Sequence, residues 1–79
     1  MRIDKYLKVS RLIKRRTVAN DACDAGRISV NSRPVKASYD VKPGDIIEIE
    51  FGTKKAKVRV TDTAESIHKE DASSMYEIL

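Results

Sequence analysis

Seventy-nine residues leave room for one domain, and a chain this short buries only about 60% of its unfolded surface, so its core is marginal. Hydrophobic residues at 41% and charged residues at 35% suit a folded domain rather than a disordered tail. One cysteine, Cys23, and one histidine, His68, rule out an intramolecular disulfide and paired-His metal ligation, and they argue against a Cys-based zinc site. No apolar run approaches the roughly 18 residues that span a bilayer. Lys5 and Lys8 interrupt the apolar stretch that a signal peptide would need after Met1 and Arg2. A cytoplasmic protein without metal or cofactor is expected.

The net charge is +4, and its distribution is uneven. Residues 1–44 carry eleven Lys/Arg against four Asp, a net +7, while residues 45–79 carry five Lys/Arg against eight Asp/Glu, a net −3. Such polarity along one small domain suits a polyanion held by one face.

At about 100° per residue from Ile3, the residues Ile3, Tyr6, Leu7 and Ser10 share one helical face, and Arg2, Lys5 and Lys8 point away from it. Leu12 would land among these cations, so the first helix is predicted to end near Ser10 to Leu12. After the polar segment Ile13 to Arg16, Thr17 is predicted as the N-cap of a second helix. Val18, Ala19, Ala22, Cys23 and Ala25 line its inner face; Asn20, Asp21 and Asp24 line the outer one, and Gly26 ends it in the left-handed conformation.

From Arg27 the period changes to two. Ile28 and Val30 alternate with Ser29 and Asn31, and after a turn at Asn31-Ser32, Val35 and Ala37 alternate with Lys36. Ser resists positive φ, which makes this turn weaker than Asn-Gly. Lys42 to Asp45 reads as a further turn around Pro43 and Gly44. Ile47, Ile49 and Phe51, then Ala56, Val58 and Val60, form the inward sets of a last hairpin. A four-residue loop over 52–55 would pair Phe51 with Ala56, Ile49 with Val58 and Ile47 with Val60. The outer face would then pair Glu50 with Lys57 and Glu48 with Arg59. Ala72, Met75, Tyr76 and Leu79 follow i, i+3, i+4, i+7 behind Glu70 and Asp71, which predicts a short C-terminal helix. Residues 1–62 are read as the binding domain and 63–79 as an extension carrying that helix.

The residues that could carry function cluster at the N-terminus. Arg2, Lys5, Lys8, Arg11, Lys14, Arg15 and Arg16 stand against a lone Asp4, and the second helix brings unpaired amides and the positive end of its dipole beside them. This convergence predicts RNA contact by those seven cations and Thr17, with Arg33 and Lys36 as further candidates. Arg2, Lys5 and Arg16 are expected to meet RNA without strong protein partners. Asp4 is read as a helix N-terminal charge or a tether orienting nearby arginines, and Lys57 and Arg59 as structural. General acid–base chemistry needs a poised His or paired carboxylates; His68 sits in a charged stretch and Cys23 on a buried face, so no enzyme is expected. No Gly-rich phosphate loop is present, and the aromatic residues are too scattered for a stacking platform.

Arg2-Ile3-Asp4-Lys5-Tyr6-Leu7, Arg16-Thr17-Val18-Ala19, Gly26 to Asn31, and Val41 to Ile47 together resemble the S4 RNA-binding domain family, in the right order over roughly residues 1–62. The resemblance implies an α+β fold, the αL motif: two helices packed on a small, bent, mainly antiparallel sheet, with RNA held along the helices. The stretch Arg2 to Thr17 and the Met75-Tyr76 ending resemble the branch that holds the small ribosome-associated quality-control and heat-shock S4 proteins. That implies rRNA of the large ribosomal subunit and tRNA as partners. It implies a role in holding peptidyl-tRNA while RqcH adds an alanine tail to a stalled chain, and a monomer is expected off the ribosome. By the same match Arg2, Lys5, Arg11 and Arg16 are implied as RNA contacts. Asn31-Ser32 departs from the family's usual Asn-Gly, and Arg15 stands where a Ser often precedes the arginine.

Three other readings remain open, one of them a protein-interaction module using the C-terminal helix, which would leave the basic face without purpose. An accessory RNA-binding module for an RNA-modifying enzyme would fit the same face. A helix-turn-helix DNA-binding protein would need base-reading side chains on its second helix, where this chain offers Asn20, Asp21 and Asp24.

Overall fold

The computed structural model describes residues 1–63 and 75–79. Helix α1 (Ile3–Val9) and helix α2 (Arg16–Asp24) precede strands β1 (Ile28–Val30), β2 (Arg33–Pro34), β3 (Ile46–Phe51), β4 (Lys54–Val60) and β5 (Tyr76–Ile78). The five strands form one antiparallel sheet in the order β2-β1-β3-β4-β5. The α+β expectation therefore holds.

Apolar periodicity accounts for the helices. Ile3, Tyr6, Leu7 and Ser10 are all buried, and α1 stops at Val9 with Ser10 as its C-cap. In α2 only Ala19 and Cys23 are buried. Val18, read as inward, is 50% exposed, and Ala25 is exposed. These two side chains sit on the flanks of a narrow contact stripe, because small residues let α2 lie close to its neighbours and leave little width to cover. Past Asp24, Gly26 takes φ 75°, its amide reaches the Cys23 carbonyl and the Arg27 amide reaches that of Ala22. This is a full Schellman ending, which the Gly position implied.

In β1, β3 and β4 the strands alternate as expected: Ile28, Val30, Ile47, Ile49, Val58 and Val60 are buried and pack with Ile3, Tyr6 and Leu7 in a single core. The expected alternation of Val35 and Ala37 about Lys36 is not a strand: β2 ends at Pro34, which has no N–H to donate to a ladder, and 35–37 follow it outside the sheet. The hairpin register differs from the expectation by two residues. Phe51 pairs with Lys54, Ile49 with Ala56, Ile47 with Val58 and Glu48 with Lys57. Gly52, at φ 60°, opens a two-residue turn with Thr53, the short connection that matches strand twist best. A shift of two keeps every side chain on its face, so the core reading survived the error. The cross-strand charges changed partners, and the tighter turn leaves Phe51 50% exposed. On the outer face Lys55 meets Glu50 at 3.7 Å, Lys57 meets Glu48 at 3.8 Å, and Arg59 meets Glu77 at 3.6 Å rather than Glu48.

That last contact reflects a larger correction. Residues 76–78 are not helical: they form β5, with Tyr76 opposite Val60 and Ile78 opposite Val58. The rest of the expected C-terminal helix, from Ala72 to Ser74, lies outside the described residues, as do Glu70 and Asp71. Met75 is fully buried, and the Tyr6 hydroxyl donates to its carbonyl at 2.7 Å. The i, i+3, i+4 spacing of Met75 and Tyr76 was compatible with a helix, but the open edge of β4 offered backbone partners that a helix would have left unused.

At the other end of the sheet, Asn31 (φ 52°) and Ser32 (φ 71°) form the two-residue turn between β1 and β2. Asn31 is supported: its Oδ1 accepts from the Ile46 amide at 3.1 Å and its Nδ2 donates to Asp45 at 3.2 Å. Among the described residues no comparable bond holds Ser32, whose left-handed backbone costs about 1 kcal/mol. Ser32→Gly should remove that cost, offset in part by the greater freedom of Gly in the unfolded chain. A net gain of about 0.5 kcal/mol, raising Tm by roughly 2–4 °C in thermal unfolding, is expected.

Candidate nucleic-acid interface

The site begins with the way α1 starts. The Ile3 amide donates to the Tyr39 carbonyl at 2.8 Å and the Asp4 amide to the Ala37 carbonyl at 3.3 Å, so the loop before β3 serves amides that the helix itself cannot. This fixes Asp4 with its side chain turned inward, 2% exposed. Its Oδ1 accepts from the Lys5 amide at 2.8 Å and from Arg2 Nε at 3.2 Å. Its Oδ2 accepts from Arg2 Nη2 at 3.2 Å and Asn20 Nδ2 at 3.4 Å, and pairs with Arg16 Nε at 3.3 Å. Burial works to raise the Asp4 carboxyl, but the donors from Arg16, Lys5 and Asn20 outweigh it and hold it below the ordinary aspartate value.

Arg2 and Arg16 therefore have a strong protein partner, contrary to the expectation that they stand alone. Their side chains remain 51% and 48% exposed, so the carboxylate holds them by one edge and leaves the rest to solvent. The tether reading of Asp4 is the one the geometry supports. An open cleft of about 290 Å3 is lined by Asp4, Arg16, Thr17, Asn20 and Asp21.

The other candidates lie around this pair. Lys5 is half-buried on α1, and Lys8 is exposed in its last turn. Arg11 is exposed with φ 65°, a strained value for a residue with a Cβ, and it receives the chain as it leaves α1. Lys14 and Arg15 are exposed in the connection to α2. Thr17 is not the N-cap: Arg15 occupies that position with extended backbone and no side-chain cap, and Thr17 sits inside the first turn. The side chain that could have capped has moved past the helix start, and the first amides of α2 carry no side-chain oxygen. Lys36 adjoins Ala37, whose carbonyl receives the Asp4 amide, whereas Arg33 lies on the edge strand β2.

Asn20 was missed as a site residue. Its period alone places it on the outer face of α2, and its i+4 relation to Arg16 puts both side chains on one stripe. Cys23 is buried, and burial, with the Asp4 and Asp24 charges adding, pushes its thiol up to about 11, as suits a core thiol. His68 lies outside the described residues. Among the described residues no group of three or more His, Cys, Asp or Glu is placed to hold a metal ion, and no helix is long and apolar enough to cross a membrane.

Two helices on one antiparallel sheet, with cations drawn across the start of both helices, define a small α+β module with a charged helical face. The chain belongs to the S4 domain family, whose pattern matches residues 1–47. It is 54% identical over 79 residues to the RQC P-site tRNA stabilizing factor of Bacillus subtilis (strain 168), covering 100% of this chain and 92% of that one. It is 56% identical over 79 residues to the protein of the same name from Streptococcus pneumoniae (strain ATCC BAA-255 / R6), covering 100% of this chain and 90% of that one. A solved trimeric structure of heat shock protein 15 from Vibrio cholerae superposes with a TM-score of 0.91. It covers 100% of this chain and 81% of that chain at 22% identity, a likeness of fold.

The lowered Asp4 carboxyl makes a signed prediction. A folded-state value below the unfolded one contributes stability that is present above the unfolded value, near 3.9, and is lost as pH falls through the folded one. Asp4→Asn should cost about 1–3 kcal/mol at pH 7. The stability curves of the two proteins should converge below pH 4, as read by urea unfolding from pH 7 to pH 2. A constant gap across that range would contradict the charged-tether geometry.

Proposed function

We propose that this protein is a non-catalytic RNA-binding factor of ribosome-associated quality control that steadies the P-site tRNA on a stalled large ribosomal subunit. The observation that carries the reading is the identity of more than half, across the whole chain, with two factors named for that task. The charged helical face supplies a physical means. Arg2, Lys5, Lys8, Arg11, Lys14, Arg15, Arg16 and Thr17 contact rRNA and tRNA phosphates, with Arg2 and Arg16 at the centre and Lys36 beside them. Arg33, on the far strand, is a lesser contact. Phosphate contacts position a protein on RNA without reading its sequence, which suits a factor that must hold tRNAs of any identity.

In this reading the factor works in the cytoplasm, as a monomer until it meets the subunit. It holds peptidyl-tRNA in place while RqcH extends the chain with alanine. Residues 1–62 form the RNA-binding unit and 63–79 an extension whose end returns to the sheet. Lys55, Lys57 and Arg59, each paired with a glutamate, take no part.

Binding should be steeply salt-dependent. With about 4–6 phosphates neutralised, log affinity should fall with log salt by roughly 0.7–0.9 per contact in titrations against rRNA fragments. A flat response would make the cluster a solvated surface. In low-salt gradients of cell lysate, the protein should sediment with large subunits and be enriched in fractions that retain tRNA. Recovery of folded protein only from the free fractions would overturn the ribosomal reading.

A further inference from the structure

We infer that Asp4, with Asn20 behind it, is a positioning residue for RNA binding: it presets Arg2 and Arg16 as one paired phosphate grip, so an acidic group inside a polyanion-binding face raises affinity. The inference rests on the RNA-binding reading above and adds to it the device that shapes the face.

The geometry carries the case. Arg2 spends its Nε/Nη2 edge on both carboxylate oxygens, at 3.2 Å each. Arg16 spends its Nε on Oδ2 at 3.3 Å. Arg2 Nη2 and Arg16 Nε thus share one oxygen, and the two nitrogens lie within about 6.5 Å of each other. Two guanidiniums so close repel; an unneutralised pair would splay into solvent. Each guanidinium has five N–H donors in a rigid fork, so the terminal nitrogens not held by Asp4 remain for an outside acceptor. These side chains are half-exposed, while the carboxylate beneath them is 3% exposed. An incoming phosphate thus meets these donors and not the Asp4 carboxylate; the exposed Asp21 lines the α2 side of the same cleft.

Asn20 adds a neutral donor to the same Oδ2 at 3.4 Å. The Lys5 amide fixes Oδ1 at 2.8 Å. Asp4 has no freedom to swing toward solvent and compete with RNA. Thr17 and the uncapped first turn of α2 border the same cleft. Holding two long side chains in the bound arrangement before RNA arrives removes an ordering cost from binding.

The prediction differs in sign from simple charge counting. Removing a carboxylate from a cationic face should strengthen binding to a polyanion if only net charge matters. If Asp4 positions the arginines, Asp4→Asn weakens binding at least about fivefold despite raising the net charge. Affinity for deacylated tRNA and for purified large subunits is measured for wild type, Asp4→Asn, Arg2→Gln, Arg16→Gln, the double variant Arg2→Gln/Arg16→Gln and the triple variant, each checked for folding by circular dichroism. The salt slope should also drop in Asp4→Asn, because fewer phosphates are engaged, a change that lower stability alone does not produce. In the background lacking both arginines, Asp4→Asn should bring no further loss.

Unchanged or tighter binding by Asp4→Asn, with Arg16→Gln weakened, overturns the positioning role and leaves the RNA face intact. No loss from either arginine variant overturns the face itself and the role with it. Should Asp4→Asn fail to fold, the wild-type protein still decides the matter. Its Arg2 and Arg16 Nε protons must be slowed in solvent exchange before any RNA is added, and exchange as fast as that of the other arginines overturns the preset grip.

Discussion

The buried carboxylate of Asp4 ties the parts of this molecule together. A carboxylate removed from water is costly unless donors surround it, and here they come from Arg2 before α1, from the amide of Lys5 within it, and from Arg16 and Asn20 on α2. Satisfying one side chain therefore fixes where the second helix starts relative to the first. The α1 amides in turn lean on the carbonyls of Ala37 and Tyr39, so the loop entering β3 belongs to the same arrangement. The core and the charged face are not independent designs; the helix packing that closes the core also draws the arginines together.

So small a core needs closing at its far end, and β5 does it. Tyr6, fully buried on α1, reaches across to the Met75 carbonyl, and Met75 fills the space beneath. Burial, with the Tyr76 and Asp62 charges adding, pushes the Tyr6 hydroxyl well above its ordinary value and keeps it a donor. One hydrogen bond therefore links the first helix to the residue that leads into the last strand. The same buried carbonyl also accepts from the Thr61 amide at 2.9 Å, so the segment that follows β4 meets the helix at one oxygen.

The two surfaces of the domain treat charge differently. On the outer face of the sheet each cation of β4 stands near a glutamate, an arrangement that lends a few tenths of a kcal/mol per exposed pair at most and leaves little field. On the helical side Lys8, Arg11, Lys14 and Arg15 project from short elements without an ion-pair partner among the described residues, Asp4 lies beneath the surface, and Asp21 and Asp24 are the exposed acids of α2. A face on which cations outnumber acids attracts a polyanion and orients its approach. The neutralised sheet keeps that attraction from spreading over the whole molecule.

Much of this was legible from residues alone. The face of α1, the Gly26 ending of α2, the buried residues of β1, β3 and β4 and the cluster of cations before Thr17 all follow from periods of 3.6 and 2 and from local turn chemistry, which depend on neighbours in the chain. What the sequence left undecided were matters of choice between distant partners. The 52–55 hairpin could close by two residues or four without moving a side chain off its face, so pattern could not set the register. Tyr76 to Ile78 could be helix or strand until the open edge of β4 claimed them. Asp4 was a tether in principle, but only the packing of α2 against α1 brought Arg16 and Asn20 to its oxygens, because a hydrogen bond between residues sixteen apart exists only once both helices are in place.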